Sequence, residues 1–439
     1  MKPKQVKRIL FSEIQKIASS PHKYCVHPGT DFTRNRKLPM DRLLSGIVSL
    51  GSGALANEML DMFHFSPDTP SSSAFIQQRN KLKPEALEDL FRSFAHRLAA
   101  QFPDDMRILA VDGTDLHIFT DPDDAGSHYP GANGQKPYNL LHVNALYDLS
   151  HGIYIDALIQ KRNEVNEHRA LCVMTDRSLI KKALVIADRG YESYNDMAHI
   201  QEKGWFFLIR VREGRNSIKS GFSLPETSSF DMDVTLQITR KQSGEVKQLL
   251  KDRNHYRFLP STTPFDYLPK KSNHHDTAMF YTLSFRIVRF PLSGNEYETV
   301  LTNLERDLFP AEKLKELYAL RWGIETSFRA LKYTIGMARL HTKKVTNCFQ
   351  EIFAHLVMYD FAEMITSHVA VRTKKRKYTY KADFSVAVHV CRAFYLGDVS
   401  PPDLEAIIGK NLVPIRPDRH IPRTHSGRRN FQGFLYRIA

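Results

Sequence analysis

Three acidic residues stand where carboxylates can do chemistry. Asp112 follows the apolar run Ile108-Leu109-Ala110-Val111, Asp188 follows Ala183-Leu184-Val185-Ile186-Ala187, and Glu325 lies within YALRWGIETSFRALK. A carboxylate at the end of a buried strand leaves the sheet where a metal ion, a substrate and water can meet. The competing role for such an Asp is to start a turn or cap a helix. At about 100° per residue, Tyr318, Arg321, Glu325 and Lys332 share an arc of about 60° on one predicted helix. Beside them runs an apolar stripe of Leu317, Leu320, Ile324, Phe328, Leu331 and Ile335. Such a polar edge is either a solvated face held by pairing of Arg321 with Glu325 or an edge aimed along the sheet on which the stripe is seated. Asp115 is a rival for Asp112, but it points to the opposite strand face if extension continues.

The elements that must position these residues can be read in outline. From Arg107 the texture is strand-like, with further runs at Leu140 to Leu149 and Ile153 to Ile159. Helical pieces then alternate with strands at 183–187 and 205–211, which predicts an α/β sheet with an antiparallel side. Residues 213–305 break the alternation with Ser/Thr/Pro/Asn-rich stretches between short β-like runs, so they read as a β-rich insertion rather than a loop. A strong helix opens at Pro310, and 347–370 form another.

Residues 1–100 read as helical, with one helix over Leu38 to Met62 and another from Pro84 to Ala100. Between them, Ser71 to Ser73 offers N-cap chemistry to a short segment carrying Gln77, Gln78, Arg79, Asn80 and Lys81. This segment fits either a helix-turn-helix reader of base edges, with Arg79 on DNA, or the polar face of a small bundle.

Lys plus Arg is 62 against 48 Asp plus Glu, a net charge of +14, which points to polyanionic partners. The run VRTKKRKYTYK from Val371, with Lys374, Lys375 and Arg376, suits phosphate contact or a solvated linker. Four scattered cysteines form no CxxC pair, which fits a reducing compartment rather than a disulfide scaffold or zinc finger. No apolar stretch reaches the ~20 clean residues needed to span a bilayer. A soluble cytoplasmic protein is expected.

Tyr318-x2-Arg321-x3-Glu325-x6-Lys332 resembles, position for position, the YREK signature of bacterial insertion-sequence DDE transposases of insertion-sequence family four. Asp188-Arg189-Gly190-Tyr191 is similar to that family's second-aspartate motif, and Asp112-Gly113-Thr114 to its first. The resemblance implies an α/β fold with a ribonuclease-H-like catalytic core, an all-helical N-terminal domain and a β-rich insertion before the catalytic glutamate helix. The corresponding divisions are 1–103, a helical DNA-binding domain, 104–212, 213–305, 306–346 and 347–439, the last basic and assigned to DNA or dimer contacts. It further implies that Asp112, Asp188 and Glu325 hold two Mg²⁺ or Mn²⁺ ions, and that Tyr318, Arg321 and Lys332 hold phosphates of the cut DNA end. Arg189 and Tyr191 would sit near the DNA. The implied activity is cut-and-paste DNA transposition by a nucleoid-associated homodimer that pairs terminal inverted repeats and joins them to target DNA. A nuclease of the same fold, or an inactive DNA-binding relative, are the alternatives. The family's flipped base can stack on a tryptophan in the insertion. This insertion has none, so Tyr256, Phe258, Phe265 and Tyr267 are the candidates there, or else they are β-core.

Overall fold

The computed structural model describes residues 1–34, 36–103, 105–131, 134, 136–214, 217–270, 280–292, 296–369 and 379–415. Its centre is one ten-stranded sheet. The strands are β1 (Arg107–Ile118), β2 (His128–Tyr129), β3 (Tyr138–Asp148), β4 (Ile153–Lys161), β5 (Ala183–Ala187), β6 (Phe206–Arg210), β7 (Phe230–Thr239), β8 (Tyr256–Phe258), β9 (Tyr281–Pro291) and β10 (Tyr297–Thr302). Their order is β2-β3-β1-β5-β6-β10-β9-β7-β8, with β4 also paired to β3. Strand β3 pairs antiparallel with both β1 and β4, whereas β5 is parallel to both β1 and β6. The expected α/β sheet with an antiparallel side is therefore present. Every residue of β5 is buried, as a parallel strand covered on both faces requires.

The β-rich segment continues this same sheet. Strand β10 pairs antiparallel with β6, and β9 and β7 follow outward. Without β10, β6 would present a row of unsatisfied backbone groups. Phe265 is buried in a ring cluster with Tyr267 and Tyr281, so these aromatics serve packing.

The N-terminal region is helical: α1 (Pro3–Ala18), α2 (Pro21–Tyr24), α3 (Met40–Ser49), α4 (Leu55–Met62), α5 (Ser72–Arg79) and α6 (Glu85–Ala99). The single helix expected over Leu38 to Met62 is two. The break at Leu50-Gly51-Ser52-Gly53-Ala54 is fixed by Glu58, whose carboxylate accepts the N–H groups of Gly51 and Gly53 at 2.5 and 2.6 Å. Helix α5 is capped as its sequence predicts, with Ser71 Oγ accepting from the Ala74 N–H.

The remaining α-helices among the described residues are α7 (Glu167–Arg177), α8 (Tyr194–Glu202), α9 (Gly244–Leu249), α10 (Ala311–Ala319), α11 (Trp322–Arg329), α12 (Val345–Thr366), α13 (Phe384–Leu396) and α14 (Pro401–Lys410). No helix among the described residues is long and apolar enough to cross a membrane. Helix α12 is buried almost throughout and acts as a spine, packing against α3, α6, α13 and β4.

This spine corrects the reading of Arg79. Its side chain is 1% exposed, with Nε donating to Gln350 Oε1 and Nη1 to Glu351 Oε2, both at 2.9 Å, and Nη2 donating to the Asn347 carbonyl. Glu351 also accepts from the His341 ring at 2.6 Å. Burial opposes its charge, yet His341 and Arg79 hold its carboxyl well below the ordinary range. Arg79 is an anchor, not a DNA contact, because a buried guanidinium is retained only where its donors are filled. Arg79→Ala should cost about 3–5 kcal/mol in denaturant unfolding, because it leaves a buried carboxylate short of a partner. Gln77→Ala, on the exposed face of the same helix, should stay within about 0.5 kcal/mol. Similar values for the two would show the network to be unimportant.

Candidate active site

Asp112 does not end its strand; β1 runs on to Ile118, paired with β3 throughout. What ends is its other neighbour. The parallel pairing of β1 with β5 stops at Ala110 and Ile186, and paired residues on adjacent strands share a face. Asp112 and Asp188 lie two residues past that last pair, so both belong to the face of Ala110 and Ile186. Below them the strands are buried; from Asp112 to Asp115 burial loosens. Asp188 is extended there and caps the following 3₁₀ turn, its Oδ1 accepting from the Gly190 N–H at 2.6 Å.

The same face carries α10, for Leu314 and Tyr318 pack on Leu184, Ile186 and Leu208. The helix predicted to continue from Pro310 is interrupted after Ala319. The N–H groups of Arg321 and Ile324 bond to carbonyls three residues back, Tyr318 and Arg321, at 3.1 and 3.2 Å. That tightened turn gives way to α11, and then to a π-helical stretch, Ala330–Ile335, closed by Gly336 at φ +113°. Each departure from 3.6 residues per turn rotates the later side chains, so the common arc of four residues is not kept. Arg321 and Glu325 lie within electrostatic reach of Asp112, and Tyr318 within that of Asp188. Lys332 instead donates to the Asp115 carbonyl at 2.7 Å.

Arg321 Nη2 donates to Glu325 Oε1 at 2.8 Å, the i,i+4 pairing anticipated for a charged edge. Two buried donors beside it have no hydrogen-bond partner among the described residues: Arg321 Nε and the Tyr318 hydroxyl. Burial pushes the Tyr318 phenol up to about 12, so it stays a donor. Burial also pushes the Asp112 carboxyl up to about 6, against the Gly113 N–H and Arg321, with Asp188 and Glu325 adding to the rise. The three carboxylates therefore share one electrostatic neighbourhood. Among the described residues, no three His, Cys, Asp or Glu side chains are gathered tightly enough to enclose one ion.

Asp115 lies on the opposite face, as its position three residues from Asp112 requires, with Oδ1 2.7 Å from His142 Nδ1. His142 Nε2 is 3.2 Å from Oε1 of Glu167, in the first turn of α7. Burial opposes the imidazolium, but these two carboxylates raise His142 to about 9. Gly113 is what lets them close in: a Cβ there would fall 2.7 Å from Glu167 Oε1 and nearer still to His142 Nε2. Sequence reasoning missed His142 and Glu167, because nothing in their spacing links them to Gly113. Of the remaining expected contacts, Arg189 is exposed beside Asp188. Tyr191 is 1% exposed and packs at the helix start, so it offers DNA no surface. Lys374, Lys375 and Arg376 lie outside the described residues.

An α/β sheet with two aspartates at a parallel-strand terminus, and a glutamate on a covering helix, defines a carboxylate site flanked by basic and phenolic donors. The chain belongs to the transposase DDE domain family, which it matches over residues 103–361, more than half its length. It is 21% identical over 244 residues to the transposase for insertion sequence element IS231E of Bacillus thuringiensis subsp. finitimus, covering 52% of this chain and 49% of that protein. With the transposase for IS1151 of Clostridium perfringens it shares 21% over 320 residues, 67% of this chain and 65% of the relative. The chain thus spans about half the length of the IS231E relative. Against the piggyBac transposase of a synaptic complex with hairpin DNA, the TM-score is 0.48 at 10% identity, covering 97% of this chain and 88% of that one.

The Asp112 carboxyl is harder to ionise in the fold than in the unfolded chain. Its contribution is favourable below about pH 4 and becomes a cost as pH rises through about 6. Asp112→Asn should therefore stabilise the protein in chelator at pH 7.5, by about 1–3 kcal/mol, and by less at pH 5. Denaturant melts at both pH values check this; no gain at pH 7.5 would mean that burial does not disfavour the Asp112 carboxylate.

Proposed function

We propose that this protein is a DNA transposase that binds the terminal inverted repeats of an insertion sequence, cuts there and joins the ends to target DNA. One observation carries the reading. The family match over 103–361 contains Asp112, Asp188 and Glu325, and in the fold the first of these is desolvated beside the other two. The strand order β4-β3-β1-β5-β6, antiparallel on one side and parallel on the other, supports a ribonuclease-H-like core.

The donor set suits a pair of Mg²⁺ or Mn²⁺ ions, because hard cations take carboxylate oxygens and would relieve the like-charge crowding at Asp112. Asp112, Asp188 and Glu325 would hold them. Such ions, when bound, supply activation of the attacking oxygen and neutralisation of the departing one. The chain's own part is to bind and orient the DNA end. Arg321 Nε and the Tyr318 hydroxyl are desolvated donors awaiting acceptors, which phosphate oxygens provide. Lys332, near Asp115, adds positive charge further along β1, and Arg189 stands exposed beside Asp188. With Tyr318, Arg321 and Lys332 in these roles, the YREK signature acquires a physical meaning. Lys374, Lys375 and Arg376 are proposed as further backbone contacts, and a homodimer pairing two ends on the nucleoid as the working assembly.

Joining assays test the reading. With Mg²⁺, a duplex carrying a pre-cut 3′ end of the element and a plasmid target should yield joined products. Cleavage without joining would reduce the protein to a nuclease, and neither activity would refute it. Glu325→Gln should abolish cleavage while leaving end binding near normal, since it removes a negative charge from beside a polyanion.

Tyr318→Phe separates phosphate holding from packing. Loss of an unpartnered hydroxyl should leave unfolding stability within about 0.5 kcal/mol, yet weaken binding to the pre-cut end by about 1 kcal/mol. If end binding is unchanged, the hydroxyl meets no phosphate.

A further inference from the structure

A second basic site lies in the N-terminal helical region, away from the carboxylates. The loop between α2 and α3 and the C-terminal end of α5 enclose a cavity of about 330 Å³, lined by Thr30, Thr33, Arg34, Arg36, Gln78 and Lys81 among others. The loop is tied to itself. Asp31 accepts the His27 N–H at 2.9 Å, Thr30 Oγ1 donates to the His27 carbonyl at 3.0 Å, and Thr33 Oγ1 donates to the Thr30 carbonyl at 2.9 Å. Phe32 sits between them in the left-handed region at φ +58°.

Three cations converge on this cavity without counter-ions. Arg34, Arg36 and Lys81 make no side-chain ion pair or hydrogen bond among the described residues, although nearby lysines that can reach a carboxylate do so. Lys37 pairs with Asp68 at 2.8 Å and Lys23 with Asp89 at 2.7 Å. The loop's own carboxylate, Asp31, is buried and committed to the His27 N–H. An independent observation points the same way. Gln78 is only 9% exposed and lines the cavity, yet its carboxamide has no hydrogen-bond partner among the described residues. Its neighbour Arg79 has donors satisfied by α12.

We propose that this cavity binds a phosphodiester group of duplex DNA, with Arg34, Arg36 and Lys81 supplying charge and the Gln78 amide, which also lines it, donating a hydrogen bond. A backbone phosphate, rather than a small free anion, suits the surroundings, because the exposed Gln77 and Asn80 of the adjoining α5 segment carry the amide chemistry that reads base edges. The buried Arg79–Glu351 pair fixes α5 to the spine helix α12, so a phosphate held here sets the register of the DNA against the body that carries Glu325. This inference rests on the transposase reading and adds a contact remote from the chemistry.

The test uses the full chain and a short random-sequence duplex, since backbone contacts are sequence-blind. Affinity is measured from about 50 to about 300 mM KCl for wild type, for Arg34→Ala with Arg36→Ala, and for Gln78→Leu. The paired lysine variant Lys37→Ala is the control. Expected for the double variant is a loss of about tenfold or more at low salt and a salt slope shallower by about one to two phosphate contacts. Gln78→Leu should lose affinity at unchanged slope, Lys37→Ala should stay near wild type, and unfolding midpoints should be preserved throughout. A double variant with wild-type affinity and slope overturns the assignment. So does a result in which inorganic phosphate raises the melting temperature of wild type but not of the double variant while DNA binding is identical, for the cavity would then take free phosphate. Metal-dependent cleavage of a pre-cut end is followed in parallel. If wild type binds and cleaves while the double variant keeps its slope, only the cavity is misassigned. If wild type neither binds nor cleaves DNA, the transposase reading falls and this site with it.

Discussion

The parallel pairing of β1 with β5 is the constraint on which the site depends. It lasts from Arg107 to Ala110 on one strand and from Ala183 to Ile186 on the other, and then stops. Because β1 continues along β3 while β5 ends before Asp188, the two strands stop pairing there, with one aspartate following on each. Shifting the pairing by one residue would send Asp112 to the other face, among His142 and Glu167. The apolar residues buried below, Leu184 and Ile186 on one face and Val185 on the other, make that slip expensive because both faces would lose their packing.

The third carboxylate comes within electrostatic reach of Asp112 by a different route. Glu325 is carried by a helix seated through Ile324, Phe328 and Leu331, and its height over the sheet is set by the tightened turn at Leu320–Arg321. The far end of that segment is gripped by the N-terminal region. Gly336 is so close to the Gly51 carbonyl that a Cβ would lie 2.7 Å from it, and His341 bridges Glu351 and the Gly53 carbonyl. The helical domain and the segment that carries Glu325 are thus tied directly by these contacts.

Electrostatics divide the molecule's charges into two populations. One is spent internally: Arg79 on Glu351, Arg177 on Asp156, Arg286 on Asp231. These pairs fasten elements and take no part in attracting a polyanion. The other population is left without carboxylate partners around the cavity at Arg34, Arg36 and Lys81, and in the unused Nε donor at Arg321. A net charge of +14 says how large the excess is, not where it lies. Only the pairing pattern separates the anchors from the groups left without ion pairs among the described residues.

Local chemistry made much of this legible in the sequence. The apolar runs before Asp112 and Asp188, the Ser71 cap and the alternation of strand and helix follow from burial periodicity and capping, which act over a few residues. The pairing of Arg321 with Glu325 is likewise a matter of helical spacing. What the sequence could not contain is anything decided by elements far apart in the chain. Arg79 looks like a solvent-facing reader until α12 packs on it, and one predicted helix becomes three segments because the sheet and the N-terminal domain grip its two ends. The alignment of Asp112 with Asp188 is also tertiary, since it follows from where β5 ceases to pair, and that in turn depends on long-range packing on both faces of the sheet.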